Sequence, residues 1–104
     1  MNMKYFFRNF YVQDIKNYLV IVNNSNTLLI IVNPSGEIVL SKNDIVVMQI
    51  RDTYISVKEN DVVGAYNYDG SIVVPFEFKC IYIEENGFLV SKDDKNNLQP
   101  YSKE

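Results

Sequence analysis

The side chains with the most chemical reach set the first bounds on what this chain can do. Histidine is absent, which removes the usual general base near neutral pH, the commonest metal ligand and every triad built on an imidazole. The single cysteine, Cys80, stands inside the apolar run Phe78 to Ile83 with no imidazole partner, and reads as a small buried hydrophobe rather than a nucleophile. Zinc needs several Cys or His ligands, so no such centre can be assembled. Two adjacent acidic pairs, Glu84-Glu85 and Asp93-Asp94, could in principle do acid/base work, yet carboxylates side by side in a turn usually serve as solvating groups. Asp93-Asp94 with Asn96 or Asn97 could hold calcium weakly, but the stretch lacks the glycine and distal glutamate of an EF-hand loop, and a solvated loop is the plainer reading. Gly36, Gly64, Gly70 and Gly87 are isolated from one another, so no phosphate-cradling loop exists. The expectation is a protein that is not an enzyme and carries no cofactor or metal.

What remains is chemistry of contact. The stretch Lys4-Tyr5-Phe6-Phe7-Arg8-Asn9-Phe10-Tyr11 interleaves aromatic rings with two cations, a composition that single-stranded RNA binders use for stacking and phosphate contact. Its alternatives are a first strand whose rings enter the core, or an exposed patch for another protein, since Tyr and Phe are enriched at interface centres. The net charge of −3 gives the molecule as a whole no electrostatic footprint for nucleic acid. Residues 1–33 hold Lys4, Arg8 and Lys16 against Asp14, and the acidity lies in the remainder.

Positioning these groups falls to strands. Apolar residues make up 47% and charged residues 22%, which is globular composition. Val and Ile dominate, eight Tyr and six Phe follow, and alanine occurs only at Ala65. Branched and aromatic side chains suit a pleated surface, whereas helices draw on Ala and Leu. The fold class expected is therefore all-β: antiparallel hairpin repeats forming a meander, a small sandwich or a partly open barrel.

Turn chemistry then divides the chain. Tyr18 to Val22 and Leu28 to Val32 flank Asn23-Asn24-Ser25-Asn26 as a hairpin, and Asn33-Pro34-Ser35-Gly36 has the make-up of a type I turn before a short strand, Glu37 to Leu40. Ile45 to Ile50, Thr53 to Lys58 and Val62 to Asn67 follow, with Ile55 and Val57 on one side of their strand and Tyr54, Ser56 and Lys58 on the other. Tyr68-Asp69-Gly70-Ser71 carries an Asp-Gly turn, and Pro75 marks a strand end or an edge. Phe78 to Ile83 and Phe88 to Val90 close around Glu84-Glu85-Asn86-Gly87. Two windows, Val12 to Tyr18 and Ser41 to Val47, could alternatively form short helices. The tail from Lys92 is polar and would fray unless Leu98 and Tyr101 tack it down.

These units repeat. Superposing Gly36 on Gly70 aligns Ile38 with Ile72 and Val39 with Val73, a spacing of 34 residues, and Asn17-Tyr18-Leu19-Val20, Thr53-Tyr54-Ile55-Ser56 and Gly87-Phe88-Leu89-Val90 recur at similar intervals. Periods of this size signal stacked supersecondary units. At these residues the chain resembles the WG-repeat family, whose units run from Trp-Gly through a short strand, Asp-x-x-Gly, a Val-Ile-Pro stretch and an aromatic-Asp pair to Gly-Leu-Ala-Val. Val63-Gly64-Ala65-Tyr66-Asn67-Tyr68-Asp69-Gly70-Ser71-Ile72-Val73-Val74-Pro75-Phe76-Glu77-Phe78, followed by Asn86-Gly87-Phe88-Leu89-Val90, looks like one well-kept copy. The copy from Leu28 to Val57 is degenerate: Ile30 stands for the glycine of the namesake pair, Ser41 for the proline, and no tryptophan occurs anywhere. The resemblance implies an array of hairpin units used for binding or scaffolding, and fold alone does not assign function.

One domain over residues 1–104 with a single core is expected, with repeat-like units at about 17–52 and 53–91 and a polar tail at 92–104. The longest apolar run, Leu28 to Val32, is far short of a membrane span, and no export signal is apparent, so a soluble, cytoplasmic protein is expected. The leading functional expectation is a protein-binding module, such as an inhibitor or immunity-type protein blocking a nuclease or toxin. Its contact residues would be Glu77, Tyr82, Glu84, Glu85, Asp93 and Asp94, with outward tyrosines Tyr54, Tyr66 or Tyr68 assisting. The competing expectation is an RNA-binding module using Lys4, Tyr5, Phe6, Arg8 and Phe10, and a homodimer through an unpaired edge strand is a third.

Overall fold

Asparagine, aspartate and glycine turn the chain back on itself at almost every reversal. The computed structural model describes residues 3–7 (backbone only), 9–93 and 97–102. Among these, a five-stranded sheet holds β1 (Met3–Phe7), β2 (Phe10–Ile15), β3 (Tyr18–Asn23), β4 (Leu28–Val32) and β5 (Ile38–Asn43) in sequence order. A four-stranded sheet follows with β6 (Val46–Ile50), β7 (Ile55–Glu59), β8 (Val62–Tyr66) and β9 (Ile72–Phe78), then a three-stranded one with β10 (Cys80–Glu84), β11 (Gly87–Ser91) and β12 (Gln99–Pro100). All pairings are antiparallel, and the fold is all-β. No helix among the described residues is long and apolar enough to cross a membrane.

The turns explain the meander. Lys16-Asn17 joins β2 to β3 with φ of 54° and 71°, and Asn60-Asp61 joins β7 to β8 with 54° and 70°; paired left-handed residues match the twist of a two-residue hairpin. Asn23 organises the next loop, its Oδ1 accepting from the amides of Thr27 and Leu28 at 2.8 and 3.1 Å. The two turns aligned by the repeat are built alike. The Gly36 amide donates to the Asn33 carbonyl at 2.9 Å and Gly70 to Asn67 at 3.0 Å, while Asn33 and Asn67 each donate to the residue four on, Glu37 and Ser71, at 2.8 Å. Neither helical window forms a helix. Val12 lies in β2 and the chain reverses at Lys16-Asn17, while Asp44, with φ of 56°, breaks the second window between β5 and β6.

Burial shows how the sheets stack. Val20, Val22, Leu29 and Ile31 of the first sheet pack with Ile55, Val57, Tyr66 and Tyr68, which lie on or beside one face of the second. The opposite face of the second sheet, with Val63, Ala65, Val74 and Phe78, packs on Ile81 and Val90 of the third. The result is three layers with two apolar clusters, not the single core expected from chain length. Strand β7 is consequently buried on both sides: Ile55, Ser56 and Val57 are all inaccessible. The Ser56 hydroxyl has no hydrogen-bond partner among the described residues. The outward placement expected for the tyrosines is corrected as well. Tyr66 and Tyr68 are buried against the first sheet and Tyr54 is half-buried with its ring 4.9 Å from Phe88 of the third, because neighbouring layers cover what alternation alone leaves to solvent.

Neighbouring sheets are also pinned by polar bonds. The Ile45 and Val47 amides donate to the Thr27 and Asn26 carbonyls at 3.3 and 2.8 Å, joining the strand that opens the second sheet to the loop between β3 and β4. The Ile83 amide of β10 donates to Gln49 Oε1 of β6 at 3.3 Å. Lys42 and Glu59 form an ion pair at 3.5 Å between the first and second sheets.

Candidate partner-binding surface

Strand β10 positions the exposed groups at the far end of the stack. Its alternation puts Ile81 and Ile83 inward, so Tyr82 and Glu84 stand outward. Tyr82 is 40% exposed, and Glu84 and Glu85 are exposed at the hairpin that closes with Glu84 opposite Gly87. Cys80, expected in the core, is half-exposed, because its parity on β10 is that of Tyr82.

Two further expected contact residues line a separate cleft bordered by β12. Glu77 and Asp93 are exposed and line a cleft of ≈ 530 Å³ together with Phe78, Lys92, Asn97 and Tyr101. Asp93 is held by local bonds: its amide donates to Ser91 Oγ at 3.2 Å and its Oδ2 accepts from Asn97 Nδ2 at 3.3 Å. Tyr101 forms the wall, its ring edge-on to Phe78 at 5.9 Å and to Phe88 at 6.4 Å. The Tyr101 amide donates to the Phe88 carbonyl at 2.9 Å. So the tail is tacked down at Tyr101, where β12 pairs with β11. Tyr101 and Pro100 also border a second cleft of ≈ 420 Å³, which Glu84 and Glu85 line. The carboxylates therefore fall into two groups, Glu77 with Asp93 and Glu84 with Glu85, on two clefts sharing one wall.

Tyr82 belongs to a third depression of ≈ 170 Å³, with Met48, Gln49, Lys79 and Cys80. Met48 is 51% exposed and was not anticipated as a surface residue. Its signal is the repeat: Met48 and Tyr82 are separated by the same 34 residues as the two turn glycines.

Among the described residues no three acidic or cysteine side chains come together as metal ligands. The Asp69 carboxyl is held below its ordinary range by the Ser71 hydroxyl and amide, which donate to it at 2.6 and 2.9 Å. That bond shapes a turn. At the amino-terminal end Phe10 and Tyr11 are exposed. The Lys4, Tyr5 and Phe6 side chains, Arg8, Asp94 and Asn96 lie outside the described residues. No protein-family model, curated protein or solved structure matches this chain.

Proposed function

We propose that the chain is a non-catalytic protein-binding module, an inhibitor or immunity-type protein that covers a basic surface of a target such as a nuclease or toxin. The observation that carries this reading is the β10–β11 hairpin, which bears an exposed aromatic ring and two exposed carboxylates. A ring of this kind anchors an interface, and the acidic rim speeds encounter with a cationic partner. The likeness to WG-repeat units and the absence of histidine support the same reading, and a cytoplasmic setting accords with one unpaired cysteine.

The test is co-purification from the native cell with wild-type protein and a Tyr82→Ala/Glu84→Lys/Glu85→Lys variant. A stoichiometric partner retained by the wild type and lost by the folded variant is expected. Recovery of no partner, or equal recovery by both, would remove the reading. Exposed Phe10 and Tyr11 favour one second reading, single-stranded RNA binding at the opposite end. It requires salt-dependent oligonucleotide binding that disappears in Lys4→Glu/Arg8→Glu, and no binding at low salt ends it.

A further inference from the structure

The third sheet is one strand narrower than the second, and the missing strand is on the β10 side. Ile81 of β10 packs with Val63 of β8, while beside β12 the Tyr101 ring meets Phe78 of β9. The order β6-β7-β8-β9 therefore leaves β7 and β6 beyond the outer edge of β10. Cross-strand register puts Val46, Lys58 and Val63 on one face, the face that carries the third sheet. On it Val46 is 43% exposed, and Met48, the residue that the β6–β7 register skips as a bulge, is 51% exposed. The hollow between β6 and β10, ≈ 170 Å³, is lined by Met48, Gln49, Ile81 and Tyr82 among others.

Backbone bonds show what fits there. In an antiparallel ladder, alternate residues turn their amide and carbonyl away from the partner strand. The Ile83 amide donates outside the β10–β11 pair, to Gln49 Oε1 at 3.3 Å, so Ile83 and Ile81 are the residues that face the outer edge. Among the described residues no strand pairs with that edge. A glutamine carboxamide is chemically a peptide group, and Gln49 holds it where the carbonyl of a neighbouring strand would accept from Ile83. Val47, 34 residues before Ile81 on the edge of β6, donates its amide to a backbone carbonyl, that of Asn26. On β10 a side chain stands in for that backbone.

We propose that an extended segment of the protein partner adds to β10 as a fourth strand over β6, displacing the Gln49 carboxamide from Ile83. This rests on the reading of the chain as a protein-binding module and names how it binds: main-chain bonds give affinity and alternate side chains give selectivity. Residues of the segment opposite Ile81 and Ile83 point inward onto Met48 and Val46 and are aliphatic. The residue opposite Glu84 points outward beside that exposed carboxylate and is Lys or Arg. A second copy of this chain, joined antiparallel at the same edge about a two-fold axis, would drive its own second sheet into the space that β6 and β7 hold. A lone strand meets no such obstacle.

The probes are acetyl-Lys-Val-Thr-Val-Thr-amide and its reverse, acetyl-Thr-Val-Thr-Val-Lys-amide, which set lysine beside Glu84 in the two strand directions. In an NMR titration of the isotope-labelled full chain, one of them is expected to shift the Ile81 and Ile83 amides with a Kd on the order of 1 mM. The same peptide with every amide N-methylated keeps its side chains, loses its donors and should not bind. Gln49→Ala should tighten binding roughly fivefold, the reverse of losing a contact side chain, and Met48→Ser should weaken it by about the same factor. No shift at Ile81 or Ile83 with either peptide, undiminished binding after N-methylation, or weaker binding by Gln49→Ala would overturn the proposal. So would sedimentation at twice 12.1 kDa that Gln49→Ala promotes, since a second copy would then hold the edge. The peptide readout is independent of co-purification: a partner recovered from the native cell while both peptides leave β10 unmoved would keep the proposed function and strike the added strand.

Discussion

Tyr68 shows how one side chain ties its own sheet together and meets the next. Its ring lies 6.0 Å from Tyr18, and its hydroxyl donates to the Arg51 carbonyl in the loop between β6 and β7. Burial, then the nearby Asp52 charge, pushes its ionisation well above the ordinary tyrosine value. Tyr66 is shifted the same way, chiefly by burial, with Lys42 opposing. A raised value means that the neutral form is favoured on folding. The resulting stability is complete below about pH 10, the unfolded value, and is lost progressively as pH rises toward the folded one. Tyr68→Phe removes the buried hydrogen bond and should cost about 1–2 kcal/mol at pH 7. The same variant should lose less stability than wild type between about pH 9.5 and 11, having one fewer phenol to ionise. Urea midpoints across that range check both statements, and parallel alkaline losses in the two proteins would show that Tyr68 is not shielded as described.

At the scale of elements, the two repeat-aligned turns are alike in backbone and unlike in surroundings. Gly36 and Gly70 have φ of 88° and 92°, where L side chains are strained. A Cβ on Gly36 would meet open space, whereas one on Gly70 would sit 2.5 Å from the Val39 carbonyl oxygen of β5. Gly36→Ala should therefore cost about 1 kcal/mol from strain alone, and Gly70→Ala roughly 2–4 kcal/mol because backbone must also move. Equal losses in urea unfolding would mean that the second turn does not press on the first sheet. This contrast also marks what the sequence could disclose. Asn33 to Gly36 and Asn67 to Ser71 were legible as turns because their chemistry is local: an Asx side chain, a fixed φ and a glycine. Alternation along β10 puts Cys80, Tyr82 and Glu84 on one side, so the expectation of a buried Cys80 is at odds with using Tyr82 as a contact residue. The burial of Tyr66, Tyr68 and Ser56 was not legible, because it depends on a layer packed across the sheet rather than on neighbours along the chain. For the same reason nothing local reveals that Glu77 and Asp93 share a cleft walled by Tyr101.

Taken whole, the molecule is three sheets of consecutive strands, each layer touching only the next, with a radius of gyration of 13.6 Å, close to the ~13 Å of a compact chain this long. In such a stack, stability is shared between the layers and their interfaces, and the interfaces are unequal in number. The first and third sheets each have one covered face, while the second has two, bearing Ile55 and Val57 on one side and Val63, Ala65 and Val74 on the other. Strands β7 and β8 are also hydrogen-bonded along both edges. Freeing their amides requires both clusters to open, whereas β10 to β12 can detach by breaking one. Amides of Ile55–Glu59 and Val62–Tyr66 should thus exchange only through global unfolding, at least about a hundredfold more slowly than those of Cys80–Glu84 and Gly87–Ser91. Native-state hydrogen exchange followed by NMR resolves the difference. Slowest exchange in β2 to β4 would place the stable centre in the first sheet and contradict the layered account.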